Sequence, residues 1–160
     1  MRMERIPVLV SACLLGLACR YDGKGKTYGQ LEGLERACAL IPACPEQLGG
    51  LATPRPPAER RGCRVETEAG TDVTAQYERG AAQALFLAEK YGCRLALLKE
   101  KSPSCGCGRV YDGTFSRTLI PGDGVTAELF RKRGIEVFGE SQVEELLCRL
   151  EELREREVGR

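Results

Sequence analysis

Nine cysteines and no histidine define the chemistry open to this chain of 160 residues. Without an imidazole there is no Ser-His-Asp or Cys-His relay, no histidine general base and no histidine-ligated zinc. Cysteine at about three times ordinary usage points to thiol or metal chemistry. Three of the nine share one kind of setting. Short apolar runs at residues 6–10, 38–41 and 95–98 lead into Ser11-Ala12-Cys13-Leu14-Leu15-Gly16, Pro42-Ala43-Cys44-Pro45-Glu46 and Lys99-Glu100-Lys101-Ser102-Pro103-Ser104-Cys105-Gly106. Cys13, Cys44 and Cys105 therefore stand in turns rich in Gly, Pro or Ser, where free backbone amides face an anion readily. Cys38, Cys63, Cys93 and Cys148, set beside apolar or ordinary helix and strand positions, read as small hydrophobes. Cys19 and Cys107 stay open as a fourth ligand, a resolving thiol or neither.

Three thiolates can hold zinc, but a structural zinc site is normally closed by a fourth protein ligand and built on Cys-x-x-Cys, which this sequence lacks. Cysteine-only ligation through three residues suits a 4Fe-4S cluster whose fourth iron is left open to bind and polarise a substrate. On spacing alone, zinc, metal-free thiol chemistry and purely structural cysteines remain as alternatives.

Thiols this far apart in sequence meet only if the elements before them are neighbours. The three apolar runs, and a fourth at 135–138, are continuous rather than alternating, as expected of strands buried on both faces of a parallel sheet. Helical spacing fills the intervals. Residues 74–90 place Tyr77, Ala81, Leu85 and Ala88 on one face behind an Asp72 cap, and 124–132 read as a shorter helix. Ser141-Gln142-Val143-Glu144 reads as a capping box opening a last helix striped by Val143, Leu146, Leu147, Leu150 and Leu153. Strand and helix in alternation predict an α/β domain with right-handed crossovers, in which strand carboxyl ends share one ligand-binding crevice. Residues 45–62 and 102–124, rich in Pro and Gly, are expected to be long functional loops. Tyr21-Asp22-Gly23 is echoed by Tyr111-Asp112-Gly113, a pattern that tight turns alone explain. The length, with 42% hydrophobic and 29% charged residues, fits one folded domain over 1–160.

Lys and Arg number 24 against 23 Asp and Glu, a net charge of +1, so only local basic clusters appear at Arg60, Arg61 and Arg64 and at Arg131, Lys132 and Arg133. That balance gives tRNA binding no support. Val10-Ser11-Ala12-Cys13 looks like a lipoprotein cleavage box, yet only residues 6–10 form the apolar stretch before it, short of the roughly 7–15 residues of a signal peptide. No apolar run is long enough to cross a membrane. A cytoplasmic location, where thiols stay reduced, is expected, and the odd cysteine count agrees.

With the cysteine turns go Cys19-Arg20-Tyr21-Asp22-Gly23, Gly49-Gly50-Leu51, Thr53-Pro54-Arg55, Asp72-Val73-Thr74, Tyr111-Asp112-Gly113-Thr114-Phe115 and Gly124-Val125-Thr126-Ala127. Taken together these motifs resemble the family catalogued as domain of unknown function 523, whose characterised members are thiouracil desulfidases. The likeness runs from about Val10 to Glu140. It implies a single Rossmann-like three-layer α/β domain holding a 4Fe-4S cluster through Cys13, Cys44 and Cys105, with the substrate's sulfur taken by the unligated iron. It further implies Glu46 as the catalytic acid or base and Ser102 as its assistant, with Ser104 a second candidate in the same loop. Cys107 departs from the family pattern, where a small polar residue is usual.

The implied chemistry is coherent. Iron is a good acceptor for a soft thiocarbonyl sulfur, and Glu46, two residues from a ligand, is placed to deprotonate the attacking water. Thiolated pyrimidines are the expected small-molecule substrates, and no electron is consumed, so no redox partner is needed. Arg55, Lys99 and Lys101 are expected to balance cluster charge, and the planar fork of Arg55 also suits a nucleotide phosphate. A non-catalytic iron-sulfur or sulfur carrier and a tRNA thiolation-related factor are the competing readings.

Overall fold

In the computed structural model, which describes residues 4–160, the four apolar runs become β1 (Pro7–Ser11), β2 (Ala39–Ala43), β5 (Leu95–Leu98) and β8 (Glu136–Gly139). They pair in parallel in the order β2-β1-β5-β8. The reason for the unbroken apolar runs is visible in the packing. Val8, Val10, Leu95 and Leu97 face one hydrophobic cluster, while Leu9, Ala96 and Leu98 face another on the opposite side of the sheet. Both faces are buried, so alternation in pointing produces no alternation in polarity. The outer strand β2 is less covered and carries Pro42, which an edge tolerates.

One face is covered by α3 (Thr74–Lys90) and α4 (Val125–Lys132), the other by α5 (Val143–Val158) and the short α1 (Leu34–Ala37). The three-layer, mainly parallel α/β expectation therefore holds, and each helix read from periodicity is present. Asp72 does not cap α3: the cap position is Val73, no side chain caps it, and Asp72 one residue earlier accepts the Thr74 N–H at 2.9 Å in a local turn. Ser141 does not cap α5. Its amide and hydroxyl both donate to Glu100, and Gln142 instead accepts the Gly139 N–H at 2.9 Å.

The two expected loops are partly ordered elements. Residues 45–62 contain a one-turn helix α2 (Pro45–Leu48) and strand β3 (Ala58–Arg61), which pairs antiparallel with β4 (Arg64–Thr67). Residues 102–124 contain the hairpin β6 (Arg109–Tyr111) and β7 (Leu119–Pro121). Strands of three or four residues carrying Arg60, Arg61 and Pro121 leave no periodic signal, so pairing partners rather than pattern make them strands.

From β1 the chain moves outward to β2 and then returns across β1 to β5 on its other side. The crevice at a reversal of this kind, beyond the strand carboxyl ends, is where open α/β sheets bind ligands. Met1, Arg2 and Met3, part of the start compared with a signal peptide, lie outside the described residues. No described helix is long and apolar enough to cross a membrane. All nine cysteines are free thiols.

Candidate active site

Cys13 sits in the single 3-10 turn Ala12–Leu14 beyond β1, Cys44 opens α2 beyond β2, and Cys105 lies in the turn beyond β5. All three line one cavity of about 520 Å³ at the carboxyl edge of the sheet, with Cys19 as a fourth thiol on its wall. Among the described residues no three His, Cys, Asp or Glu side chains close around a single ion. Three soft sulfurs spread about a cavity suit a multi-iron cluster better than one zinc. The donor set thus fits the cluster that the sequence suggested.

Backbone and hydroxyl contacts fix these thiols. Ser102 Oγ accepts the amides of Ser104 and Cys105, each at 3.1 Å, closing the turn that carries Cys105. Ser11 Oγ accepts the Lys99 amide at 2.9 Å and its side chain hydrogen-bonds the Cys105 thiol, tying the ends of β1 and β5 together. Cys44 Sγ donates to the Cys19 carbonyl at 3.7 Å. Burial, helped by the neighbouring Cys44, pushes the Cys13 thiol up to about 11, against the pull of Lys99 and Arg20. Burial also drives Cys105 strongly upward. Such thiols bind metal only as their protons leave, so loading must release protons.

Glu46 stands on the first turn of α2, two residues beyond Cys44. Its Oε1 accepts the Tyr77 hydroxyl at 2.6 Å and Arg55 Nε at 3.1 Å. Arg55 is buried, and its remaining nitrogens donate to Ala52 O at 3.2 Å, Thr53 Oγ1 at 3.1 Å and Cys19 O at 2.9 Å. This inward engagement corrects the reading of Arg55 as a phosphate contact. Burial opposes its charge, but Glu46 outweighs that and raises its pKa. Tyr77 was legible only as a core position on the apolar face of α3. Its ring does pack with Val65 and Val73, while burial and Glu46 hold its hydroxyl protonated far above the ordinary tyrosine value. A buried tyrosine needs a partner for its hydroxyl, which is the one signal that could have marked it.

The two serines, two residues apart, face different ways. Ser102 lines the cavity, and its hydroxyl proton has no acceptor among the described residues. Ser104 is fully buried, bonds Thr126 Oγ1 at 2.9 Å and is not on the cavity wall. Lys99 lines the cavity but pairs with Glu140 at 2.6 Å, which raises its pKa despite the opposing effect of burial. Lys101 lines it with a left-handed backbone, φ 65°. Cys107 lies outside the wall, with Sγ 4.0 Å from Gln142 Oε1. Cys38 and Cys93 are buried as expected, whereas Cys63 and Cys148 are exposed and do not act as small hydrophobes.

The outer cavity is roofed by the two hairpins. Glu59 Oε1 accepts the amides of Gly113 and Phe115 at 3.1 and 3.2 Å, and Arg61 donates to Gly113 O at 3.0 Å. Tyr111, Phe115 and Arg117 of this roof line the cavity with Tyr21. The Tyr-Asp-Gly echo thus has a structural result. Asp22 accepts the Lys24 amide at 3.0 Å and Asp112 the Thr114 amide at 2.9 Å, so two similar turns each set a tyrosine on the wall. Composition held no trace of Ser11 or Glu59 as site residues.

A family model described as 2-thiouracil desulfurase matches residues 8–142. Uncharacterized protein YbbK of Bacillus subtilis (strain 168) is 41% identical over 150 residues, covering 88% of this chain and 99% of that protein. A solved structure described as 4Fe-4S-dependent thiouracil desulfidase TudS is 50% identical, with a TM-score of 0.86, covering 93% of this chain and 99% of that one.

Proposed function

We propose, because the chain belongs to the 2-thiouracil desulfurase family, that it is a 4Fe-4S-dependent desulfidase converting the C=S group of a thiolated pyrimidine to C=O. The observation that carries this reading is the convergence of Cys13, Cys44 and Cys105 from three strand ends on one cavity, with Glu46 on the same wall. Those three cysteines would hold the cluster, and Cys19 would remain a neighbour whose carbonyl anchors Arg55. When bound through three thiolates, a cluster of this kind supplies an open iron, a soft acceptor for sulfur that makes the attached carbon electrophilic.

The remaining work falls to the chain. Glu46 takes a proton from the water that attacks the thiocarbonyl carbon. Ser102 presents its hydroxyl proton to the substrate's polar edge, and Ser104 braces the turn from behind through Thr126. Water and C=S become C=O and hydrogen sulfide with no net electron transfer, so no redox partner is required. One domain carries the whole reaction.

The cavity of about 520 Å³ must hold the cluster as well as the substrate. Tyr21, Tyr111 and Phe115 offer stacking surface beyond the cysteines, and Lys101 and Arg117 offer cations, so thiolated nucleotides are accepted as well as bases. Nothing in the basic clusters adds support for tRNA binding. Arg60, Arg64, Arg131, Lys132 and Arg133 each pair with a carboxylate of the chain itself. We place the protein in the cytoplasm, where its thiols stay reduced.

The test is sulfide release from 2-thiouracil by protein purified without oxygen, with no other protein present. Many turnovers per chain are expected, falling on the order of 100- to 10,000-fold in Glu46→Gln, to a slow rate still above that of protein-free substrate, with the iron retained. A single stoichiometric release, or turnover only with a partner protein, would instead identify a carrier.

A further inference from the structure

We infer that Tyr77 and Arg55 are positioning residues that clamp one oxygen of Glu46 and thereby present the other to the substrate; this rests on Glu46 being the base of the proposed reaction. The two carboxylate oxygens are treated unequally. Oε1 receives both the Tyr77 hydroxyl at 2.6 Å and Arg55 Nε at 3.1 Å. Oε2 has no hydrogen-bond partner among the described residues, and the side chain retains 17% of its exposure, on the cavity wall. A carboxylate held at one oxygen by two donors from different directions has little freedom left in its last torsion. Its free oxygen therefore points one way before any substrate arrives, which is the preorganisation that proton abstraction needs.

The clamp is itself held at both ends. Arg55 cannot swing, because Ala52, Thr53 and Cys19 occupy its other nitrogens. Its bond to the Cys19 carbonyl meets there the Cys44 thiol, so the orientation of Glu46 is referred to the same backbone that receives a proposed ligand. Tyr77 is carried by α3, which meets α2 backbone to backbone. A Cβ on Gly80 would run into the Pro45 carbonyl, and one on Gly49 into that of Gln76. Only with glycine at both positions do the helices approach closely enough for the Tyr77 hydroxyl to reach a carboxylate on α2.

Tyr77 lies on a different element from every proposed ligand and reaches the chemistry only through Glu46, so its effect should vanish when Glu46 can no longer act as a base. The experiment is a double-mutant cycle on cluster-loaded protein, reading kcat and KM for sulfide release from 2-thiouracil in wild type, Tyr77→Phe, Glu46→Gln and the double variant. Tyr77→Phe is expected to lower kcat on the order of 10- to 100-fold, the worth of one hydrogen bond to a charged group, with KM and iron content little changed. In the Glu46→Gln background the same change should cost nothing further. Arg55→Lys, which keeps charge but loses the fork, should show the same silence there. A second readout needs no cluster. In metal-free protein the Glu46 carboxylate infrared band, isolated by subtracting the Glu46→Gln spectrum, should shift in Tyr77→Phe. An unmoved band, an unchanged kcat, or an equal loss in both backgrounds would overturn the clamp. Full turnover by Glu46→Gln alone would remove the base assignment beneath it, a result read on that variant without reference to Tyr77.

Discussion

The floor and the roof of the cavity are built in opposite ways. On the floor, polar groups are committed to one another over short, buried contacts: Glu46 to Tyr77 and Arg55, Ser102 to two amides of its own turn, Ser11 to β5 and Cys105. The roof consists of two hairpins of three- and four-residue strands, with Val65 the only fully buried apolar residue of β3 and β4. A handful of partly exposed contacts through Glu59, Arg60 and Arg61 holds it. The floor sits on the sheet, whereas the roof meets the rest of the fold mainly where Val65 of β4 packs on Val73 and Tyr77. On the proposed reading, chemistry belongs to the first region and substrate choice to the second.

The comparison breaks most sharply at the cysteines. Cys13→Ala, Cys44→Ala and Cys105→Ala should each abolish sulfide release by more than the roughly 100-fold typical of outer partners of a metal site, while Cys63→Ala and Cys148→Ala leave it unchanged. Sulfide assays under anaerobic conditions check both arms. Next in size is Gly80→Ala, which forces α3 away from α2. Overpacking of this kind costs about 1–3 kcal/mol, so denaturant unfolding should show that loss, together with a fall in kcat as Tyr77 leaves Glu46.

On the roof the effects are smaller and of another kind. Glu59→Ala removes the joint between the hairpins, and KM is expected to rise roughly threefold to tenfold, the worth of about one hydrogen bond, with kcat preserved. A fall in kcat equal to that of Gly80→Ala would erase the distinction between the regions. The smallest effect is electrostatic. Arg60, bonded at 2.6 Å, holds the Glu128 carboxyl below its ordinary range, so the pair stabilises the fold above the unfolded-state value and loses that contribution as pH falls through the folded one. With Glu128 partly exposed, the contribution is under about 1 kcal/mol. The Tm difference between wild type and Glu128→Gln should close as pH drops below the ordinary glutamate range, and a difference that persists there would place the stabilisation elsewhere.

The same contrast governs how much could be read from sequence. The sheet was legible because strands buried on both faces leave continuous apolar runs, and the cysteine turns were legible because each follows such a run. The hairpins were not, since their strands are too short and too charged for a period to emerge, and they exist by packing on each other. Within the site, Glu46 followed from its place beside Cys44 and from family resemblance. Tyr77 was hidden because helical spacing assigns a ring to an apolar face without saying which element its hydroxyl meets. Ser102 and Ser104 were inseparable in sequence, and only the turn closed at Ser102 decides which of them sees the cavity. Ser141 was misread because Glu100, forty-one residues away, captures it.

The central claim is that three cysteines from three strand ends hold one cluster. Iron and acid-labile sulfide per chain, measured on protein purified without oxygen beside the Cys13→Ser, Cys44→Ser, Cys105→Ser triple variant, test it directly. About four irons and four sulfides in the wild type, lost together in the triple variant, are expected. Zinc in place of iron, no metal after anaerobic reconstitution, or full iron retained by the triple variant would contradict it.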